Sequence, residues 1–184
     1  MERQQGQKEK SIAWFKLADL IARGEREKAL SVFRLLSHSL TDRAYALQVE
    51  GDILWHMNDQ SFQEKYKQAA FLYQKELRWV NAIALYEHLL TEHPDAPDVL
   101  MGLIFFYAMI DWREKCQQSF DRAYDLFQKK IIDEAAIEKT VKELVNHALT
   151  TQHDEKKAWL RQWLSQLPAA LPLPAHFIDA VRVL

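Results

Sequence analysis

The stretch KYKQAAFLYQKELRWVNAIALYEHLLTEHP, Lys65 to Pro94, decides the fold. Tyr66, Ala69, Ala70 and Tyr73 recur at spacings of three and four, and so do Trp79, Ala82, Tyr86 and Leu89. That period is the amphipathic helix's own, because residues i, i+3, i+4 and i+7 fall on one face. The pattern breaks between Tyr73 and Trp79, restarts, and stops at Pro94, which cannot continue a helix. Two helices joined by a short connection are predicted. Small Ala70 and Ala82 let backbones approach closely, and an aromatic such as Tyr86 fills the gap beside them.

Working outward, the same order of residues returns. Thirty-four positions on stand Leu100, Leu103, Ile104 and Tyr107, then Arg113, Cys116, Phe120, Ala123 and Gln128. Upstream, Trp14, Leu17, Ala18, Ile21, Ala29, Phe33 and Leu36, with Gly24 at the turn between them, repeat 33 positions later apart from that glycine. Their counterparts are Leu47, Glu50, Gly51, Leu54, Phe62, Tyr66 and Ala69. A period in this range marks a stacked repeat, in which no unit buries both its faces alone. The two series disagree over the helix near 61–76, which is a second helix in one and a first helix in the other. Either the array is continuous and that helix carries both patterns, or an irregular junction lies near Asn58 to Phe62.

These residues resemble the tetratricopeptide repeat (TPR) family. Its 34-residue unit pairs a large–x2–large–small–x2–aromatic helix with a small–x3–aromatic–x2–small helix, closed by proline. The resemblance covers residues 11–130. It implies an all-α fold: a right-handed α-solenoid of antiparallel helix pairs, a TPR-like superhelix whose first helices line a concave groove. Carried onto this chain, the groove positions are Phe15, Asp19 and Ala22; Gln48, Asp52 and Trp55; Lys67, Phe71 and Gln74; and Met101, Phe105 and Ala108. The family's carboxylate clamp, which grips acidic chaperone tails, has no match here, because its places hold Phe15, Asp19, Val49, Asp98 and Gly102. The mixture of Phe15, Trp55, Phe71, Met101 and Phe105 suits an amphipathic helix or hydrophobic peptide instead. The same side chains also suit a core, most of all Met101 and Phe105 in the most apolar helix of the chain.

Helices are predicted near 8–23, 25–39, 42–57, 61–76, 79–92, 97–110, 113–129, 133–150 and 154–166, punctuated by Gly24, Asn58-Asp59, Pro94, Pro97 and Asp111. Residues 1–10 form a polar N-terminal segment. After residue 130 the repeat fades, and 131–167 reads as C-terminal capping helices, which an open solenoid needs at its last apolar face. Residues 168–184 are a Pro-rich tail ending in apolar Phe177, Ile178, Val181, Val183 and Leu184, which offers a homodimer as the alternative role.

Composition narrows the field further. Apolar residues make up 48% of the 184, which rules out wholesale disorder. Four Gly and five Pro are too few for a turn-rich β sandwich. A formal charge of −2 excludes a broad basic nucleic-acid footprint. The single cysteine, Cys116, excludes an internal disulfide, and the polar N-terminus MERQQGQKEK carries no secretory pattern. The longest apolar run, Val99 to Ile110, is 12 residues and falls short of the roughly 20 a bilayer requires. A cytoplasmic protein without membrane insertion is expected.

No catalytic or metal-binding set emerges. In Glu87-His88-x3-Glu92-His93 the histidines stand five apart and diverge around the helix, unlike an i, i+4 zinc pair. His147 and His153 straddle a turn and are expected at the surface. Cys116 takes a position the repeat reserves for a small buried residue. The four glycines are scattered, so no phosphate loop forms. The expectation is a non-enzymatic adaptor or chaperone-like module, without cofactor, that binds another protein through a peptide or helix. The small TPR chaperones of bacterial secretion systems are its nearest analogy.

Overall fold

A computed structural model describes residues 2–167, with side-chain surroundings from Ile12 onward. Among them are nine α-helices and no strand. They are α1 (Glu2–Ala22), α2 (Arg26–Ser37), α3 (Arg43–His56), α4 (Phe62–Lys75), α5 (Trp79–Glu92), α6 (Pro97–Met109), α7 (Arg113–Gln128), α8 (Glu134–Thr150) and α9 (Asp154–Ser165). The expected helices match these within two residues at either end, except that α1 starts at Glu2 and takes in most of the expected polar lead-in. That segment is mostly Glu, Arg, Gln and Lys, which propagate a helix well but display no apolar face to read. The tail 168–184 lies outside the described residues. No described helix is long and apolar enough to cross a membrane.

The helix ends follow ordinary capping chemistry. Asp42 accepts from the Tyr45 backbone N–H at 2.8 Å ahead of α3, and Asp133 accepts from that of Ala136 at 2.8 Å ahead of α8. Pro97 opens α6, where its missing N–H costs nothing.

Five helices end in one and the same turn. Gly24, Asn58, Leu77, Asp111 and Lys130 all have φ between 55° and 69°. At each, the residue's own N–H bonds three residues back and the following residue's N–H bonds five residues back: Leu77 N to Gln74 O at 3.1 Å and Arg78 N to Tyr73 O at 2.8 Å are one example. This pair of bonds is the Schellman motif, which satisfies carbonyls the helix end would leave bare. Gly24 and Asn58 stand 34 apart, as do Leu77 and Asp111. After Gly24, Leu77 and Asp111 the next helix begins two residues on, whereas after Asn58 it waits until Phe62. The connection between α3 and α4 is therefore longer, like the one after Lys130, where α8 begins four residues on at Glu134. The connection between α4 and α5 is of the same kind as those between α1 and α2 and between α6 and α7.

The chain divides into two compact units, with the boundary inside α5 between Leu85 and Tyr86. In the first unit α1 packs on α2, α2 on α3, and α3 most extensively on α4. Leu17, Leu20, Phe33, Ile53, Leu54, Phe62, Tyr66 and Tyr73 are among its buried side chains. Gly51 explains how closely α3 and α4 approach: an added Cβ would lie 2.5 Å from Tyr66 Cδ1, and that ring is buried. Ala70 and Ala82 are buried as expected. Ala18, which the repeat aligns with Gly51 and so with close packing, is exposed instead. The buried face of α1 runs through Leu17 and Leu20, which turns Ala18 outward.

In the second unit α6 packs on both α7 and α8, and α8 on α9. With two flanking helices, α6 buries side chains nearly all round, from Val99 to Met109. Gly102 lies under the Tyr86 ring, whose Cδ2 would be 3.0 Å from an added Cβ. Tyr73 and Tyr107, aligned 34 apart in the sequence, are used alike. Each buries its ring and donates its hydroxyl to an earlier helix, to Gln48 Oε1 at 2.7 Å and to Glu87 Oε1 at 2.8 Å. Each also has a cation over the ring, Arg78 at 4.3 Å and Lys115 at 5.5 Å from the centroid.

Candidate partner-binding surface

The twelve groove positions fall into three kinds, with Ala22 exposed, Gln74 half-buried and Ala108 buried, and the nine larger or charged ones divide as follows. Phe15, Asp19 and Phe71 are exposed; Gln48, Asp52, Trp55, Lys67 and Phe105 are half-buried; Met101 is buried. The buried face of α1 leaves Phe15 74% exposed, with Ile12 at 59% one turn before it. Residues three apart on a helix are neighbours, so these two make one apolar patch. Asp19, the next position along, is held by its own helix: Arg23 donates from Nε to Asp19 Oδ1 at 3.1 Å.

On α3 the expected polar contacts are turned to internal use. Tyr66 Oη donates to Asp52 Oδ1 at 2.6 Å, and Tyr73 Oη donates to Gln48 Oε1 at 2.7 Å. Both tyrosines belong to α4, so Gln48 and Asp52 line the seam between α3 and α4. Their chemistry is to satisfy phenol groups whose rings are in the core. Trp55 stacks on His56 with ring centroids 5.5 Å apart.

On α4 the division of faces is clean. Phe62, Tyr66, Ala69, Ala70 and Tyr73 are buried, while Phe71 remains 52% exposed on the other side. Lys75 Nζ lies 4.4 Å from the centroid of the Phe71 ring. Lys75 and Ile12 are the members of these outward faces that the sequence reading missed. Their signal was available: each stands one turn from an expected groove residue.

Met101 is only 5% exposed and belongs to the core of the second unit, the alternative that its apolar helix had left open. Phe105 is half-buried, with its ring edge-on to Phe106 at 6.0 Å.

The remaining chemistry-bearing residues are built into the packing. Glu87 accepts from Tyr107 and pairs with Lys115. Burial pushes its carboxyl upward, but those two hydrogen bonds outweigh it and hold the group below the ordinary value. Cys116 is fully buried, with its Sγ 3.5 Å from Ile104 O, and burial pushes the thiol up to about 12. Such a thiol is not a thiolate near neutral pH. Among the described residues no group of three His, Cys, Asp or Glu could hold a metal ion. His147, expected at the surface, has its Nε2 enclosed without a hydrogen-bond partner. It sits in the last turn of α8, the helix that α9 packs against.

No family model, curated protein or solved structure matches this chain, so the reading of its surface rests on the geometry above.

Proposed function

We propose that the chain is a protein-binding module of TPR type. In this reading its helix pairs run antiparallel and stack into a right-handed solenoid, and the first helices hold a peptide or amphipathic helix of a partner protein. Its role is that of a cytoplasmic adaptor or dedicated chaperone and not that of an enzyme. The observation that carries the reading is the two-faced character of α1 and α4. Each buries one face and keeps an aromatic in water on the other, Phe15 and Phe71, at positions the repeat assigns to the partner. Large exposed apolar groups of this kind are the anchors of peptide recognition. The recurrence of one turn at 34-residue intervals, and of one tyrosine arrangement at the same interval, supports the repeat itself.

The test begins with affinity purification from the native source, followed by mass spectrometry of what co-elutes. The recovered partner is then bound to Phe15→Glu and Phe71→Glu variants. Loss of an aromatic anchor costs about 2 kcal/mol or more, roughly a thirtyfold weakening. Unchanged partner affinity, with helicity intact by circular dichroism, overturns the reading. Phe105 is a poorer probe, because its ring contact with Phe106 ties it to the packing of α6.

A further inference from the structure

Within the first unit, a cleft of about 370 Å³ opens between the last turns of α2 and the first two turns of α3, a size within the range of small-ligand sites. Its floor is apolar: Phe33 is buried, and Leu40 and Leu47 are half-buried. Arg34 and His38 line it from the α2 side and Arg43 from the α3 side, all three exposed. Among the described residues their side chains have no hydrogen-bond or ion-pair partner. Neither arginine has an acidic residue three or four positions away, where a helical surface pair would form. The two carboxylates nearby have other work. Glu50, which also lines the cleft, pairs with Lys65 at 3.0 Å. Asp42 accepts from the Tyr45 backbone N–H at 2.8 Å and from Arg78 at 2.6 Å. The dipole of α2 accounts for Arg34 and His38, which sit at its carbonyl end. It does not account for Arg43, which opens α3 at the end that disfavours a cation. A lone exposed arginine is ordinary on a protein surface. Two from different helices, turned with an imidazole to one apolar-floored cleft and left without counter-charge, make a site for an anion.

We propose that this cleft binds a phosphate monoester carried on an apolar or aromatic group. Arg34 and Arg43 come from two helices, so they call for an anion with oxygens to offer on both sides. One bidentate arginine fills both oxygens of a carboxylate. A phosphate monoester has three such oxygens and, near neutral pH, most of a second negative charge. The floor of Phe33, Leu40 and Leu47 takes the group that bears the phosphate. The cleft uses neither Phe15 nor Phe71, so the proposal stands or falls apart from the reading of the chain as a protein-binding module.

The experiment is titration calorimetry of the full chain with phenyl phosphate, beside benzoate, which keeps the ring and carries a single charge, and inorganic phosphate, which lacks the ring. Phenyl phosphate should bind tightest, by about tenfold over either. Arg34→Gln and Arg43→Gln, both at exposed positions, should each weaken it by about tenfold. Lys129→Gln removes one charge at the far end of α7 and should leave it unchanged. A peptide bearing phosphotyrosine presents the same group: tighter binding than phenyl phosphate makes a phosphorylated protein side chain the source, and weaker binding makes it a free small molecule. No binding of phenyl phosphate overturns the proposal, and so does equal binding by the native chain and both arginine variants with helicity intact by circular dichroism. Benzoate as tight as phenyl phosphate overturns the choice of phosphate, and inorganic phosphate as tight overturns the apolar carrier.

Discussion

At the scale of single residues, Leu77 and Lys130 are the exceptions among the five turns, and Leu77 is the one with an apolar side chain. Left-handed backbone is easy for Gly24, tolerable for Asn58 and Asp111, and costly for leucine, by roughly 1–2 kcal/mol. Nothing is recovered by burial, because the Leu77 side chain is 70% exposed. Leu77→Gly should therefore stabilise the protein. Relief of the strain exceeds the extra chain entropy that glycine adds to the unfolded state, leaving a net gain of about 0.5–1 kcal/mol. A higher urea midpoint with an unchanged slope would show it, and a lower midpoint would show that Leu77 makes a contact worth more than its strain. The residue scale is also where sequence reading met its limit. Helix α6 is apolar on every side, so periodicity could not say that Met101 points inward. Gln48 and Asp52 look like surface polar residues until the Tyr73 and Tyr66 hydroxyls are seen to reach them.

At the scale of helices, most of the pattern was legible, because turns leave strong marks. Gly24, Asn58, Asp111 and Pro94 each fall where the backbone leaves a helix, Pro97 falls where one begins, and the alternation of small and large side chains located most of the close contacts. What spacing alone left open was the phase around α4, since Tyr66 and Ala69 fit two registers at once. The turns carry both registers. Gly24 and Leu77 stand 53 apart, which is one 34-residue interval plus 19, about the length of a single helix with its turn. The 19-residue step from Asn58 to Leu77 is where the two 34-residue series meet, and Asn58 to Ser61 is the junction at its start. Asp59 fastens that junction, accepting from Ser61 N at 2.9 Å, Ser61 Oγ at 2.6 Å and Arg26 Nε at 2.7 Å. The tightest test of how α3 joins the first unit is Gly51→Ala. Alanine is the better helix former by up to about 1 kcal/mol, but its methyl would press into the buried Tyr66 ring. Overpacking of this kind costs about 1–3 kcal/mol, so the variant should be less stable by about 1–2 kcal/mol, and a gain in its thermal midpoint would contradict the contact.

At the scale of the whole molecule, acid should act on the two units through different groups. In the second unit, His147 lies close to Lys156, whose Nζ donates to Met109 O at 2.5 Å. Burial, then the Lys156 charge, holds the imidazole below its ordinary value of 6.5. The dipole at the end of α8 works the other way, but it is worth about 0.3–1 kcal/mol, against about 1–3 kcal/mol or more for a charged N–H enclosed without an acceptor. A lowered folded value means that the unfolded chain takes up the proton first, so stability is full above 6.5 and falls as pH drops through the folded value. In the first unit, hydrogen bonds from the Ser61 hydroxyl and backbone, then from Arg26, hold Asp59 at about 2 against an ordinary 3.8. Its contribution stands above 3.8 and is lost as pH falls toward 2. The outcome should be a two-stage loss of stability on acidification. Chemical unfolding followed by tryptophan fluorescence at a series of pH values reads the first stage through Trp159 and Trp163 on α9, whose rings stack 5.8 Å apart. The unfolding midpoint of the native chain should decline between about pH 7 and about pH 5, while His147→Leu flattens that limb and keeps the steeper one below about pH 4. A native chain whose midpoint does not change between pH 7 and pH 5 would mean that His147 finds an acceptor on protonation and that its burial sets no acid limit on the α8–α9 end of the molecule.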